Sequence, residues 1–155
     1  MDKMTKKSNE NIISTYRKAT FEYELHEKFE AGLVLTGTEV KSLRNKSVNL
    51  AGGFVDIKDG EAFIHQIKIE EYEFGNRQNH NPERKRKLLL HKQEIEKLEK
   101  MVTRQGFTIV PTKIYFQGAW VKIEIALAKG KKNYDKRQSE KEKSERRELR
   151  ERLSY

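Results

Sequence analysis

The sequence contains no cysteine. That absence excludes a disulfide framework and thiolate metal sites, and it removes thiol redox chemistry from consideration. Long apolar runs are missing as well. No stretch approaches the ~18 residues that a membrane-spanning helix needs, and Met1 to Asn11 is polar and lysine-containing, without the apolar centre of an export signal. The expectation is a soluble, cytoplasmic protein with no membrane partner. Apolar residues make up only 35% of the 155 positions, which is low for a chain that must all be packed, so part of it is expected to lie outside any core.

Enzyme signatures are also lacking. Gly52-Gly53 has none of the glycine-rich context that cradles phosphates and reads as a flexible turn before a strand, and no serine sits in a G-x-S-x-G elbow. Glu22, His26 and Glu30 have the i, i+4 spacing that would align three metal ligands on a helix. The two-residue alternation of Phe21, Tyr23 and Leu25 through the same stretch argues for a strand, which disperses them. The reading is therefore a binding protein, with no catalytic residue, metal or cofactor.

What the chain has in abundance is charge. Charged residues are 37% of the total and the formal net charge is +9, so the molecule is drawn to polyanions at physiological salt. Two runs are locally unbalanced. Gly75 to Lys87 holds Arg77, Arg84, Lys85, Arg86 and Lys87 against Glu83 alone, and Lys129 to Arg137 holds Lys129, Lys131, Lys132, Lys136 and Arg137 against Asp135. From Gln138 the charges nearly balance, and Glu142 with Arg146 and Glu148 with Arg152 form i, i+4 pairs suited to a solvated helix.

Periodicity divides the chain into three parts: a flexible arm at 1–11, a β-rich domain at 12–128, and a basic tail at 129–155 that has too little apolar surface to order itself when free. Within the domain, Phe21 to Leu25 and Phe29 to Leu35 read as two antiparallel strands, followed by a short helix that Thr38 can cap. Phe54 to Gln66 reads as a hairpin around Asp59-Gly60, with strand character resuming from Ala62 to Ile69. Leu88 to Gln105 reads as an amphipathic helix that places Ile95, Leu98, Met101 and Val102 on one face and ends at Gly106. Three further strands, Phe107 to Val110, Thr112 to Phe116 and Trp120 to Ala128, complete the domain, the last two joined at Gln117-Gly118. The fold class is mainly β, with about six strands and two or three flanking helices, and its natural architecture is a small closed or partly open antiparallel barrel of the oligonucleotide-binding (OB) type. Tyr23, Tyr72, Phe74, Tyr115, Trp120 and Tyr134 are aromatics that could stack on bases beside the basic patches.

Three ordered blocks resemble the SmpB family of transfer-messenger-RNA (tmRNA)-binding proteins: Phe29 to Leu33 with Gly37 to Arg44, then Arg86 to Leu90, then Ala128 to Arg137. The resemblance runs from about Tyr16 to Arg137. It implies an OB-type barrel that grips the tRNA-like domain of tmRNA through Tyr23, Glu30, Leu89 and His91. The cations Lys41, Arg44, Arg84, Lys85, Arg86 and Lys87 are expected to supply phosphate contacts. It further implies a tail, with Lys129, Gly130, Lys131, Lys132, Tyr134, Asp135, Lys136 and Arg137 at its base, that becomes helical in the vacant mRNA path of the ribosome, near the decoding centre. Family members often carry asparagine where His91 and Tyr16 stand and tryptophan where Thr38 stands. The rival readings are a general RNA chaperone built on the same barrel, and a module whose basic tail meets an acidic partner.

Overall fold

The computed structural model describes residues 11–75, 79–130 and 144–147. In chain order the elements are β1 (Asn11–Thr15), α1 (Ala19–Glu22), β2 (Tyr23–Leu33), α2 (Gly37–Arg44), β3 (Val48–Asn49), β4 (Phe54–Lys58), β5 (Glu61–His65), β6 (Lys68–Ile69), β7 (Arg86–Leu89), α3 (Lys92–Gln105), β8 (Thr108–Gln117) and β9 (Trp120–Gly130). Seven strands form one antiparallel sheet in the order β1-β8-β9-β2-β7-β5-β4, and β3 pairs with β6 in a separate two-stranded ribbon. The OB-type expectation holds, with nine strands among the described residues in place of about six. The sheet is open: β1 and β4 are its edges, and β4 packs against β8 without joining it.

The core follows from period-two patterning. In β9, Val121, Ile123, Ile125 and Leu127 all point inward and are buried, as the sequence predicts. Phe29, Ala31 and Leu33 of β2, Ile64 of β5 and Leu88 of β7 meet them in a single cluster with Ile109 and Ile114 of β8. Each of these side chains other than Ala31 contributes about 1.5–3 kcal/mol on leaving water. The hairpin at Asp59-Gly60 is also as expected: Lys58 pairs with Glu61, and both turn residues have positive φ, 52° and 75°, the signature of a type I′ turn. Gly106 ends α3 at φ 69°.

Several boundaries differ from the sequence reading. Phe21 to Leu35 is not two antiparallel strands; Phe21 belongs to α1, and β2 is one strand whose two halves pair with the same partner, β9. The polar break at His26 and Glu27 is absorbed by a register shift between Leu25 and Lys28, a bulge after which Phe29, Ala31 and Leu33 enter the core while Leu25, paired with Ala128, stays outside the cluster. Likewise β8 is continuous where two strands were read, its register shifting between Pro111 and Lys113. Leu88 and Leu89 belong to β7, so α3 starts four residues later than predicted, at Lys92. A leucine triplet has no period, and strand pairing to β2 and β5 decides its fate. Strand character does not run from Ala62 to Ile69 without interruption, because Gln66 takes φ 61° and the chain leaves β5 to form β6.

Gly52-Gly53 forms the expected turn before β4, closed by the Gly53 N–H donating to the Leu50 carbonyl with Gly52 at φ 80°, and Gly53 has a packing role besides. A Cβ on Gly53 would lie 2.6 Å from Ile67 Cγ2 and 3.1 Å from both the Leu50 carbonyl and Pro111 Cγ, so only glycine lets β4 approach β8 here. Lys129 and Gly130, grouped by composition with the tail, are the end of β9, paired with Glu24 and Tyr23. Of the arm expected at 1–11, Asn11 instead opens β1, paired with Phe116; residues 1–10 and the tail residues Lys131, Lys132, Tyr134, Asp135, Lys136 and Arg137 fall outside the described residues. Within the stretch read as a latent helix, residues 144–147 are helical and exposed.

Candidate nucleic-acid interface

Cross-strand register places the outer side chains of four strands in two rows. In the first, Leu89 of β7 sits beside Gly32 of β2, which pairs with Lys122 of β9, which pairs with Tyr115 of β8. In the second, Glu30 of β2 faces Glu124 of β9, which faces Lys113 of β8. Two carboxylates directly opposite one another across a strand pair repel. Hydroxyl donors offset this: Tyr115 Oη donates to Glu30 Oε2, and Thr112 Oγ1 donates to Glu124 Oε2 at 2.5 Å. Thr112 is the extra residue at the β8 register shift. The Lys113 ammonium stands over the Tyr115 ring at 5.2 Å from its centroid.

Of the residues expected at the RNA site, Glu30 and Leu89 lie on this face in adjacent rows, Leu89 level with Gly32 and Glu30 one row away. Leu89 is 55% exposed, unusual for a leucine at a sheet centre. His91 follows two residues later as the N-cap of α3, its backbone N–H donating to Glu94 Oε1 at 3.0 Å. Tyr23 stands apart: it opens β2, seven residues before Glu30, which in extended chain is roughly 23 Å away. Lys41 and Arg44 are exposed on α2, and Lys41 Nζ lies 5.4 Å from the centroid of Tyr72. Lys85 is exposed over the Phe63 ring at 4.7 Å, and Lys87 is half-buried beside Glu61 at 3.4 Å.

Arg86 and Arg84 do not fit the phosphate role that their place in a basic run suggested. Arg86 is fully buried, and its Nε donates to Glu39 Oε2 at 2.5 Å while its other nitrogens donate to the Ile67, Asn81 and Pro82 carbonyls. Arg84 Nη2 donates to the other oxygen of the same carboxylate. Glu39 is itself buried. Burial pushes its carboxyl up, but the Arg84 guanidinium, the Thr36 N–H and Arg86 outweigh that and hold it below the usual carboxylate range. Thr36, not Thr38, is the N-cap of α2, and Thr38 Oγ1 instead meets His80 Nδ1 at 2.9 Å. The basic loop is thus partly an internal clamp tying α2 to β7. A composition count cannot separate a buried guanidinium from a solvated one; the alternation of Arg86 and Leu88, both inward in β7, was the available signal.

The elements that could have assembled a metal site are spread out. Glu22, His26 and Glu30 run from the end of α1 along β2, and His26 turns edge-on to Phe107 with ring centroids 4.8 Å apart. Among the described residues no group of three or more histidines and carboxylates is arranged to hold a metal, and no helix is long and apolar enough to cross a membrane.

Fold and face together define an open OB-type β module with an exposed outer face flanked by lysines and arginines. Comparison with known proteins is more specific. The sequence profile of the SmpB protein family matches residues 13–155. An SsrA-binding protein from Geotalea uraniireducens is 54% identical over 141 residues, covering 91% of this chain and 93% of that one. One from Geobacillus thermodenitrificans is 48% identical over 143 residues, covering 92% of each. A chain in the solved structure "tmRNA-SmpB: a journey to the center of the bacterial ribosome" superposes with a TM-score of 0.65 at 43% identity, over 84% of this chain and 92% of that chain. The chain belongs to the SmpB family.

Proposed function

We propose that this chain binds the tRNA-like domain of tmRNA and works with it on stalled ribosomes in trans-translation, as a cytoplasmic binding protein without catalytic residues. The observation that carries the reading is its likeness, at 43% identity over most of both chains, to the SmpB of a tmRNA-SmpB ribosome structure. The outer face supports it with suitable chemistry: Leu89 presents apolar surface to an exposed base, and Glu30 offers an acceptor for base amino groups. The exposed Lys41, Arg44 and Lys85, with Lys87 at the margin, surround that face with phosphate partners. His91 and Tyr23 extend the contact along and beyond it.

The tail has a second task in this reading. An empty decoding site gives no codon pairing, so Lys131, Lys132, Lys136 and Arg137 would meet ribosomal RNA phosphates while Tyr134 stacks and Asp135 orients them, with Lys129 and Gly130 fixing the point of departure. Sequencing the RNA that co-purifies with the chain from a bacterial lysate tests the first task; enrichment of bulk RNA in place of one structured RNA refutes it. Truncation after Gly130 tests the second. It is expected to preserve tmRNA affinity and abolish tagging of stalled chains, whereas full tagging by a tail of scrambled order and equal charge refutes an ordered-tail mechanism.

A further inference from the structure

Among the described residues few large apolar side chains are exposed, and three of them, Leu89 at 55%, Val34 at 44% and Trp120 at 73%, line the same open groove. The groove holds about 570 Å³ and runs along the outer face between the end of β2, the end of β7 and the start of β9. Gly32 forms part of its floor. A Cβ there would stand 3.3 Å from Leu89 Cβ, so the glycine keeps the space beside Leu89 open. Lys122 lines the groove two residues after Trp120, and Val40 brings to it the helix that carries Lys41 and Arg44. An indole three-quarters in water is poor use of the chain's only tryptophan unless something covers it.

We propose that this groove receives one unpaired nucleobase of the bound RNA, which stacks on Trp120 and seats its edge against Leu89, while Lys122 holds an adjacent phosphate. The proposal rests on the RNA-binding reading above and adds to it Trp120, Lys122 and the Gly32 floor, none of which the family resemblance assigns. The occupant must offer a flat apolar face to the indole, carry negative charge to satisfy Lys122 and the α2 cations, and be no larger than the groove. A base with its phosphate meets all three conditions. An apolar protein segment leaves the ring of cations unanswered.

Because Trp120 is the only tryptophan, its emission reports on the groove alone. Titrating the full chain with a transcript of the tRNA-like part of tmRNA is expected to quench that emission over the concentrations at which a gel shift shows binding. Trp120→Ala is expected to weaken binding by about 5- to 150-fold, the loss of one base stack, with the salt slope unchanged. Trp120→Phe keeps most of the affinity, and Lys122→Ala lowers the salt slope. Binding with undisturbed emission, or equal affinity in Trp120→Ala, overturns the proposal and leaves the RNA-binding reading standing. Failure of the wild-type chain to bind the transcript overturns both. Quenching by ribosomal subunits but not by the transcript, or emission that changes with protein concentration alone, assigns the groove to another occupant and also overturns it.

Discussion

Replacing Glu39 by glutamine removes the charge on which two guanidinium groups converge and leaves nearly the same volume. Glu39 and Arg86 are both fully buried, and Arg84 reaches the same carboxylate from the margin. Breaking a buried pair by deleting one charge costs about 3–5 kcal/mol, because the partner is left uncompensated in a medium that solvates it poorly. Glu39→Gln strands the buried Arg86, whereas Arg84 at the margin is left to water, and the loss falls within that range. Arg86→Met leaves Glu39 with Arg84 and the Thr36 N–H, which places it nearer the lower end, although it also orphans the carbonyls of Ile67, Asn81 and Pro82. Urea denaturation of both single variants and the double variant measures the coupling, expected to exceed about 1 kcal/mol between residues in direct contact. A depressed carboxylate contributes stability that is present above its unfolded pKa and lost as pH falls through its folded value, so the wild type should lose stability in acid by a step that Glu39→Gln lacks. Additive single-variant effects together with identical acid profiles would refute the clamp.

Gly53→Ala should cost about 1–3 kcal/mol, read as a lowered denaturation midpoint, because its Cβ has no space between Ile67 and Pro111. For tmRNA binding, Lys85→Ala and Arg44→Ala should each flatten the plot of log affinity against log salt by about 0.7–0.9, whereas any folded Arg86 variant should keep the wild-type slope. A slope change at Arg86 equal to that at Lys85 would return Arg86 to the interface. Glu30→Gln should raise stability by about 0.2–1 kcal/mol by relieving its repulsion with Glu124, which keeps its own pairing with Lys113, measured by thermal or urea unfolding.

Most of the sheet was legible because its strands bury one face and obey a period of two. Val121 to Leu127 and the Asp59-Gly60 hairpin follow from alternation and turn chemistry alone. The two misread strand breaks share one cause. Bulges at His26-Glu27 and at Thr112 insert a residue without ending a strand, and to a reader of local pattern a one-residue insertion looks like a break. The site was legible in part. Glu30 and Leu89 came from family resemblance, and their meeting across Gly32 depends on the β2–β7 register. Arg86 was misplaced for the opposite reason: its neighbours in sequence are cations, but its neighbours in space are Glu39 and three carbonyls.

Glu30 and Glu124 show what that outer face is arranged to do under the RNA-binding reading. Two opposed carboxylates cost stability, and the fold supplies a hydroxyl to each where an apolar pair would have been cheaper. In a chain with net charge +9, acids at the centre of the face keep phosphates from settling there. The backbone of a bound RNA is thereby directed away from that row, to Lys122 in the neighbouring row and to the margins, where Arg44, Lys41 and Lys85 are exposed. What can approach the centre is the edge of a base, whose amino groups carboxylates accept, and the flat surface of a base, which Leu89 receives. The local repulsion therefore works as a filter: cations at the rim set affinity, and the acidic, apolar centre decides which part of the RNA may enter.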